Sequence, residues 1–282
     1  MSEIQSSIIE CINGAYYELT VSERRVADYV LSQYDHVQFM SITQLAEECG
    51  VADATVSRFC RSLGLKGFNA FKIELAKQAA SLMHPDDLDS AETFRGRCQQ
   101  VQHNNQLAIQ QTMELVDEEA VIKAVDLLCK ADRIICMCQG GSMILANECS
   151  HLFSTVSNKF FSIWDSHTQV STAATMSNRD IILLFSYSGS TQSGLEILQL
   201  AKQQGATTIL VTRFRKSPAA SLADVTLCCG SMESPMQLGS IPARVAQLVL
   251  VDILYQEFCR KDPATSQRSL EQIAAALATK HI

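Results

Sequence analysis

From Arg133 to Cys228 short, continuously apolar runs alternate with segments of helical period. This pattern narrows the choice of fold more than any other feature of the chain. A strand that is apolar on both sides needs cover on both faces. When such strands alternate with helices, the outcome is a parallel sheet sandwiched between helices. Five runs qualify as strands: Ile134–Cys138, Lys159–Ile163, Asp180–Phe185, Thr207–Thr212 and Val225–Cys228. Between them Met143–Thr155, Gln169–Met176, Gln192–Gln204 and the short Pro218–Leu222 read as helices. Ala243–Lys261 closes the region as a long helix. Pro242 stands at its first turn, where a missing amide costs nothing.

Residues 1 to 77 have a different character and read as all helix. Thr20-Val21-Ser22-Glu23 and Ser41-Ile42-Thr43-Gln44 are capping boxes, each opening a run with apolar residues at helical spacing. Gly50 ends the second of these helices and supplies the left-handed residue of a tight turn. A third helix is expected from near Asp53 to Leu63, with Val56, Phe59 or Cys60, and Leu63 turned inward, and Gly64 at its end. Helix, glycine turn, helix is the geometry that lays a second helix in the DNA major groove. The outward face expected for that helix carries Thr55, Ser57, Arg58, Arg61 and Ser62, with Lys66 and Lys72 just beyond. Arginine reads guanine bidentately and lysine suits backbone phosphates. The chain as a whole is acidic, with net charge -7, yet residues 54–77 hold five basic side chains against Glu74 alone. A local basic patch in an acidic protein marks a phosphate-contacting surface. The same three helices also occur in structural and protein-interaction modules.

A chain of 282 residues accommodates two domains with separate cores. The polar stretch 78–106, with His84-Pro85-Asp86-Asp87, reads as a linker. It divides a DNA-binding domain over 1–77 from an α/β domain over 107–282. No apolar run is long enough to span a bilayer, and residues 1–10 lack the basic and apolar regions of a secretory signal. A cytoplasmic protein is expected. The 11 cysteines are odd in number, lack C-x-x-C spacing and sit mostly in apolar stretches. They read as reduced, buried thiols acting as small hydrophobes, with redox sensing as the alternative. The six histidines have no metal-ligand spacing, so no metal is proposed.

Ser186-Tyr187-Ser188-Gly189-Ser190-Thr191 follows one strand and opens a helix. Free amides, the helix dipole and four hydroxyls make that turn an anion site. It has neither the lysine of a nucleotide P-loop nor the G-x-G-x-x-G of a dinucleotide site. Gln139-Gly140-Gly141-Ser142, after an earlier strand, is a second such turn. A phosphorylated sugar could be held between the two.

Two stretches carry a resemblance to a known family. Ser22-Glu23-Arg24-Arg25-Val26-Ala27-Asp28-Tyr29-Val30 and the run from Thr55 to Phe68 resemble the N-terminal domain of RpiR-family regulators, with its S-x-A-T-V-S-R-F and L-G-x-x-G-F pattern. The region from about Ile134 to Phe258 resembles the SIS domain of sugar isomerases and sugar-phosphate sensors. That likeness includes S-x-S-G-x-T at Ser186–Thr191, D-x-H-x-Q at Asp165–Gln169, Glu233 and Arg244. It implies an all-α helix-turn-helix domain followed by an α/β domain with a five-stranded parallel sheet flanked by helices. The implied protein is a DNA-binding transcriptional regulator without catalytic residues, metal or cofactor. Its operator binding would respond to a phosphorylated sugar, and its SIS domains would join two or four chains. By this likeness Thr55, Ser57, Arg58, Arg61, Lys66 and Lys72 meet operator DNA. Ser142, Ser186, Ser188, Gly189, Ser190 and Thr191 hold the phosphate, and Glu233 and His167 meet sugar hydroxyls. Three positions depart from the pattern: Ala52 replaces the usual N-cap serine, Cys138 the first glycine of a G-x-G-x-S turn, and Ala243 a serine before the arginine. The alternative is a sugar-phosphate isomerase, with Glu233 as base and His167 as ring-opening acid.

Overall fold

The computed structural model describes residues 8–82, 93–231, 233, 235–236 and 239–278. By its internal contacts the chain divides into two units. One comprises residues 1–104 with 232–240, the other residues 105–231 with 241–282.

The first unit contains α1 (Ile8–Ala15), α2 (Val21–Val37), α3 (Ile42–Glu48), α4 (Asp53–Ser62) and α5 (Phe68–Leu82). Thr20 and Ser41 close both expected capping boxes. Gly50 and Gly64 take φ of +62° and +78°, as their turns require. Val26, Val30, Leu45, Val56, Phe59, Phe71 and Leu75 make the core, with Phe59 edge-on to Phe71 at 5.6 Å between ring centroids. One buried carboxylate ties two helices of this core together. Glu23 accepts from the Thr20 amide at 3.0 Å and the Thr20 hydroxyl at 2.6 Å, and from the Ser62 hydroxyl of α4 at 3.2 Å. The Thr20 hydroxyl bond, with help from Ser62 and the Arg58 charge, holds its carboxyl below the usual value of 4.5. A depressed folded value means stability that is present above pH 4.5 and lost as the pH falls through the folded value. Melting of Glu23→Gln against the parent should therefore differ by about 0.5–1 kcal/mol at neutral pH and converge in acid. A constant gap across pH would show that the charge does not matter.

The second unit begins on α6 (Phe94–Leu115), continues through α7 (Glu118–Lys130), and then alternates strands and helices. These are β1 (Arg133–Cys138), α8 (Met143–Ser154), β2 (Phe160–Ser162), α9 (Ser166–Ala173), β3 (Asp180–Phe185), α10 (Gln192–Gln203), β4 (Thr207–Thr212), α11 (Pro218–Leu222) and β5 (Val225–Cys228). The long α12 (Ile241–Lys261) and α13 (Pro263–Ala278) complete it. The sheet is parallel throughout in the order β2-β1-β3-β4-β5. Alternate residues of each strand serve opposite layers, as the pleat demands. Ile134, Cys136, Ile181, Leu183, Ile209 and Val211 pack on one side with α7, α8 and α12. Ile135, Met137, Ile182, Leu184 and Leu210 pack on the other with α9, α10 and α11. Phe153 stacks on Phe160 at 4.2 Å and meets Tyr255 and Phe258 edge-on, which fixes α12 against α8 and β2.

Two boundaries differ most from expectation. Asp165 caps α9 through the Thr168 amide, so this helix starts three residues before the expected Gln169 and ends at Ala173. The expected linker 78–106 is helical at both ends, in α5 and α6, whereas His84–Asp87 lies outside the described residues. All eleven cysteines are free. Burial pushes the Cys49 and Cys138 thiols up to about 11 and Cys60 to about 12, which removes the thiolate on which reactivity depends. Among the described residues no helix is long and apolar enough to cross a membrane.

Candidate functional site

β1 and β3 are neighbours at the point where the strand order reverses, with β2 to one side and β4 to the other. In open α/β sheets ligands bind at the carboxyl ends of the strands beside this switch point. Cys138 pairs with Phe185 in register, so the turns after β1 and β3 leave the sheet edge side by side. The first turn passes through Gly140, at φ +59°, into the 3-10 turn Gly140–Ser142 and then α8. The second passes through Gly189, also at φ +59°, into α10. Neither Ser142 nor Thr191 caps its own helix with its side chain. At α10 no side chain caps the leading amides, which leaves them to another acceptor, whereas the first amide of α8, that of Met143, donates to the Gly140 carbonyl.

The structure brings the expected hydroxyls together at the second turn. Ser186 is buried and its Oγ lies 3.2 Å from Thr191 Oγ1. Ser188 Oγ accepts from the Ser190 amide at 3.3 Å, and Ser190 and Thr191 are exposed. The turn is braced from behind. Thr212 Oγ1 and the Arg213 amide both donate to the Tyr187 carbonyl, at 3.0 Å each. The Ala219 amide donates to the Gly189 carbonyl at 2.8 Å. Gly189 lies so close to Ser217 that any Cβ would overlap the serine side chain.

Cys138, the departure from the family glycine, links the two strand ends. Its thiol donates to the Phe185 carbonyl at 2.7 Å, one residue before Ser186. Gln169, wholly buried, donates to the Cys138 carbonyl at 3.0 Å and the Ile163 carbonyl at 2.6 Å, and accepts from Gln139 Nε2 at 2.6 Å. The glutamine of D-x-H-x-Q is therefore a brace between β1 and the end of β2. His167 stands exposed in the first turn of α9 without a hydrogen bond to either hydroxyl-bearing turn among the described residues. Glu233 belongs to the first unit, and its carboxylate accepts from the Ser240 amide at 2.5 Å.

Arg244 was singled out in the sequence only as part of the family likeness, with no role. In the structure its Nη2 stands 3.3 Å from where a Gly141 Cβ would be, beside the first turn. Its Nε is buried without a hydrogen-bond partner, as is Gln247 Oε1 one helical turn on. Buried orphans of this kind are rare and call for an explanation. A hint was present in the sequence, because a cation in the first turn of a helix opposes the macrodipole. A bound anion would reverse that penalty.

In the first unit α4 presents Arg58 and Arg61, both exposed, with Ser57 half-buried between turns and Lys66 exposed beyond Gly64. Thr55 does not share that face as expected. It is 5% exposed, and its hydroxyl accepts from Arg58 Nη2 at 3.0 Å. Lys72 is also less available than expected. It donates to the Met40 carbonyl at 3.3 Å and lies 5.4 Å from the Phe68 ring centre. Burial lowers its ammonium to about 8. Ala52 is the N-cap of α4 and offers no side-chain bond. Asp53 does not substitute for the missing serine, since its carboxylate accepts from the Thr43 hydroxyl at 2.8 Å and so ties α4 to α3.

Known proteins match both halves. Residues 6–82 match the helix-turn-helix domain of the rpiR family, and residues 127–256 match the SIS domain. An uncharacterised helix-turn-helix-type transcriptional regulator of Caldanaerobacter subterraneus is 30% identical over 279 residues, covering 98% of this chain and 99% of the relative. The transcriptional regulator HexR of Escherichia coli is 28% identical, covering 96% and 94% of the two chains. The structure of Vibrio vulnificus NanR complexed with ManNAc-6P superposes with a TM-score of 0.88 at 25% identity, over 98% of this chain and all of that one. The likeness runs through both units, and the chain belongs to the RpiR family of helix-turn-helix transcriptional regulators that carry a SIS domain.

Proposed function

We propose that this regulator binds operator DNA through Ser57, Arg58, Arg61 and Lys66, and that a phosphorylated sugar held by the SIS domain modulates that binding. The observation that carries the reading is the pairing of two hydroxyl-bearing turns at adjacent strand ends of the switch point, beside the orphaned Arg244. Ser142, Ser186, Ser188, Gly189, Ser190 and Thr191 surround the phosphate. Arg244 supplies the positive charge that the turns themselves lack. That NanR was solved with a sugar phosphate supports the same ligand class here. The exposed His167 is left to meet sugar hydroxyls. An isomerase reading needs a base and an acid assembled on one sugar. Relatives that match nearly the whole chain are transcriptional regulators, which supports a sensor without catalysis.

The active form is a symmetric pair of chains that sets two recognition helices on a near-palindromic operator. Ile144, Phe161 and Trp164 are exposed around β2, and the Ser162 hydroxyl bonds Asn147 of α8 across the same edge. Such an apolar edge suits contact with a second copy. The working compartment is that of the chromosome, the bacterial cytoplasm.

Thermal melting against a panel of sugar phosphates, with ManNAc-6P included and the free sugars as controls, tests the reading. Ligand at 100 times its dissociation constant adds about 2.7 kcal/mol. One phosphate should raise the melt while its free sugar does not. Ser188→Ala and Arg244→Ala should each remove most of that shift. A shift of equal size with free sugar, or one retained in both variants, refutes the phosphate assignment.

A further inference from the structure

The phosphate turn has a side chain that does not face the ligand hydroxyls. Tyr187 points its hydroxyl to the Ser231 carbonyl, at 2.8 Å, and sets its ring edge-on to Phe214. Arg213 Nε donates to the same carbonyl at 3.0 Å. Ser231 is buried and has φ +105°, the only positive φ among the described non-glycine residues. A serine rarely adopts such a backbone, and it persists only where its surroundings hold it. The holding groups are clear on its other side too. The Ser231 amide donates to Gln111 Oε1 at 3.1 Å, and the Gly230 amide donates to the buried Thr112 Oγ1 at 2.9 Å. Gly230 presses on the α6 backbone so closely that a Cβ would overlap Gln111 and Thr112.

These contacts meet where the chain passes between its two units. Ser231 is the last residue of the second unit before 232–240, which count with the first. Gln111 and Thr112 lie on α6, the helix within which the chain makes its first passage, at Asn104 to Asn105. One strained residue thus joins the phosphate turn, through Tyr187, to elements carrying two of the three covalent passages.

We infer that Tyr187 is a positioning residue that transmits effector occupancy from the Ser186–Thr191 turn to Ser231, and that the strained Ser231 is the movable element it acts on. Phosphate drawn into the turn sets the Tyr187 backbone, and with it the hydroxyl that pins Ser231. Since Ser231 is held against strain, a small loss or gain of that bond shifts its equilibrium. The inference rests on the phosphate reading of the turn given above.

Hydrogen exchange on the full-length protein, with inorganic phosphate as the probe, tests both and separates them. In the parent, phosphate should slow exchange several-fold in peptides covering residues 186–194, and also in peptides covering 229–240 and 105–115. In Arg213→Gln, which leaves every turn hydroxyl in place, the first protection should persist and the response at 229–240 should fall. Tyr187→Phe should abolish the response at 229–240. Protection of the turn with no response at 229–240 in the parent, or a response equal to the parent's in both variants, overturns the inference alone. Failure of phosphate to protect the turn in the parent removes the phosphate reading and this inference with it. Unchanged melting of both variants without phosphate excludes a general loss of fold.

Discussion

Gly189→Ala is expected to abolish the sugar-phosphate-dependent rise in melting temperature and to destabilise the second unit by about 2–4 kcal/mol. Two costs coincide at this position. The φ of +59° suits glycine and strains an L side chain, and the added methyl overlaps Ser217, which caps α11 through the Ala220 amide and cannot yield without releasing that helix. The turn would have to move, taking with it Ser188 and the leading amides of α10. Gly140→Ala makes the informative control. It has the same φ of +59°, but no atom lies within 4 Å of its Cβ position, so only the backbone cost of about 1 kcal/mol applies. Denaturant unfolding measures the destabilisation and ligand-dependent melting the loss of ligand response. A Gly189→Ala protein with the parent's full ligand shift would show that this turn does not grip phosphate.

Arg58→Ala is expected to weaken binding to the operator, recovered by selection from random DNA, by about 1–3 kcal/mol and to relax preference at one base pair. The expectation rests on where the structure puts this side chain. It is exposed on α4, with its guanidinium steadied by the buried Thr55 hydroxyl, so part of its freedom is already spent before any DNA is met. Thr55→Val, which removes only that steadying bond, should cost less and leave the preferred sequence unchanged. Lys66→Ala should weaken binding uniformly across sequences and lower the salt slope by about 1, as a phosphate contact does. Binding titrations at several salt concentrations, on operator and on unrelated DNA, distinguish these cases. An equal loss for Arg58→Ala on both DNAs would reassign it to the backbone.

The layout of both units was legible in the sequence because it follows from local chemistry. The apolar runs read as buried strands, since a run such as Ile181-Ile182-Leu183-Leu184 has no face to give to water, although at β2 Phe161 is exposed. Thr20 with Glu23, Ser41 with Gln44, Gly50 and Gly64 each satisfy a requirement within a few residues of themselves, so their roles held in three dimensions. The turn Ser186–Thr191 was legible for the same reason, as hydroxyls and a glycine between a strand and a helix.

Other features depended on residues distant in sequence, and those only the tertiary structure decided. Thr55 looked like an outward residue of α4, but the angle at which α4 packs in its core buried it under Arg58. Lys72 looked like a phosphate contact until Met40 and Phe68 drew it in. Arg244 and Tyr187 drew no role from sequence because their meaning lies in what stands opposite: a glycine turn for one, a strained carbonyl for the other. Hydrophobic period and capping are properties of neighbours along the chain and can be read there. Which polar group is left without a partner, and which is pinned, depends on surfaces that meet only after the chain has folded.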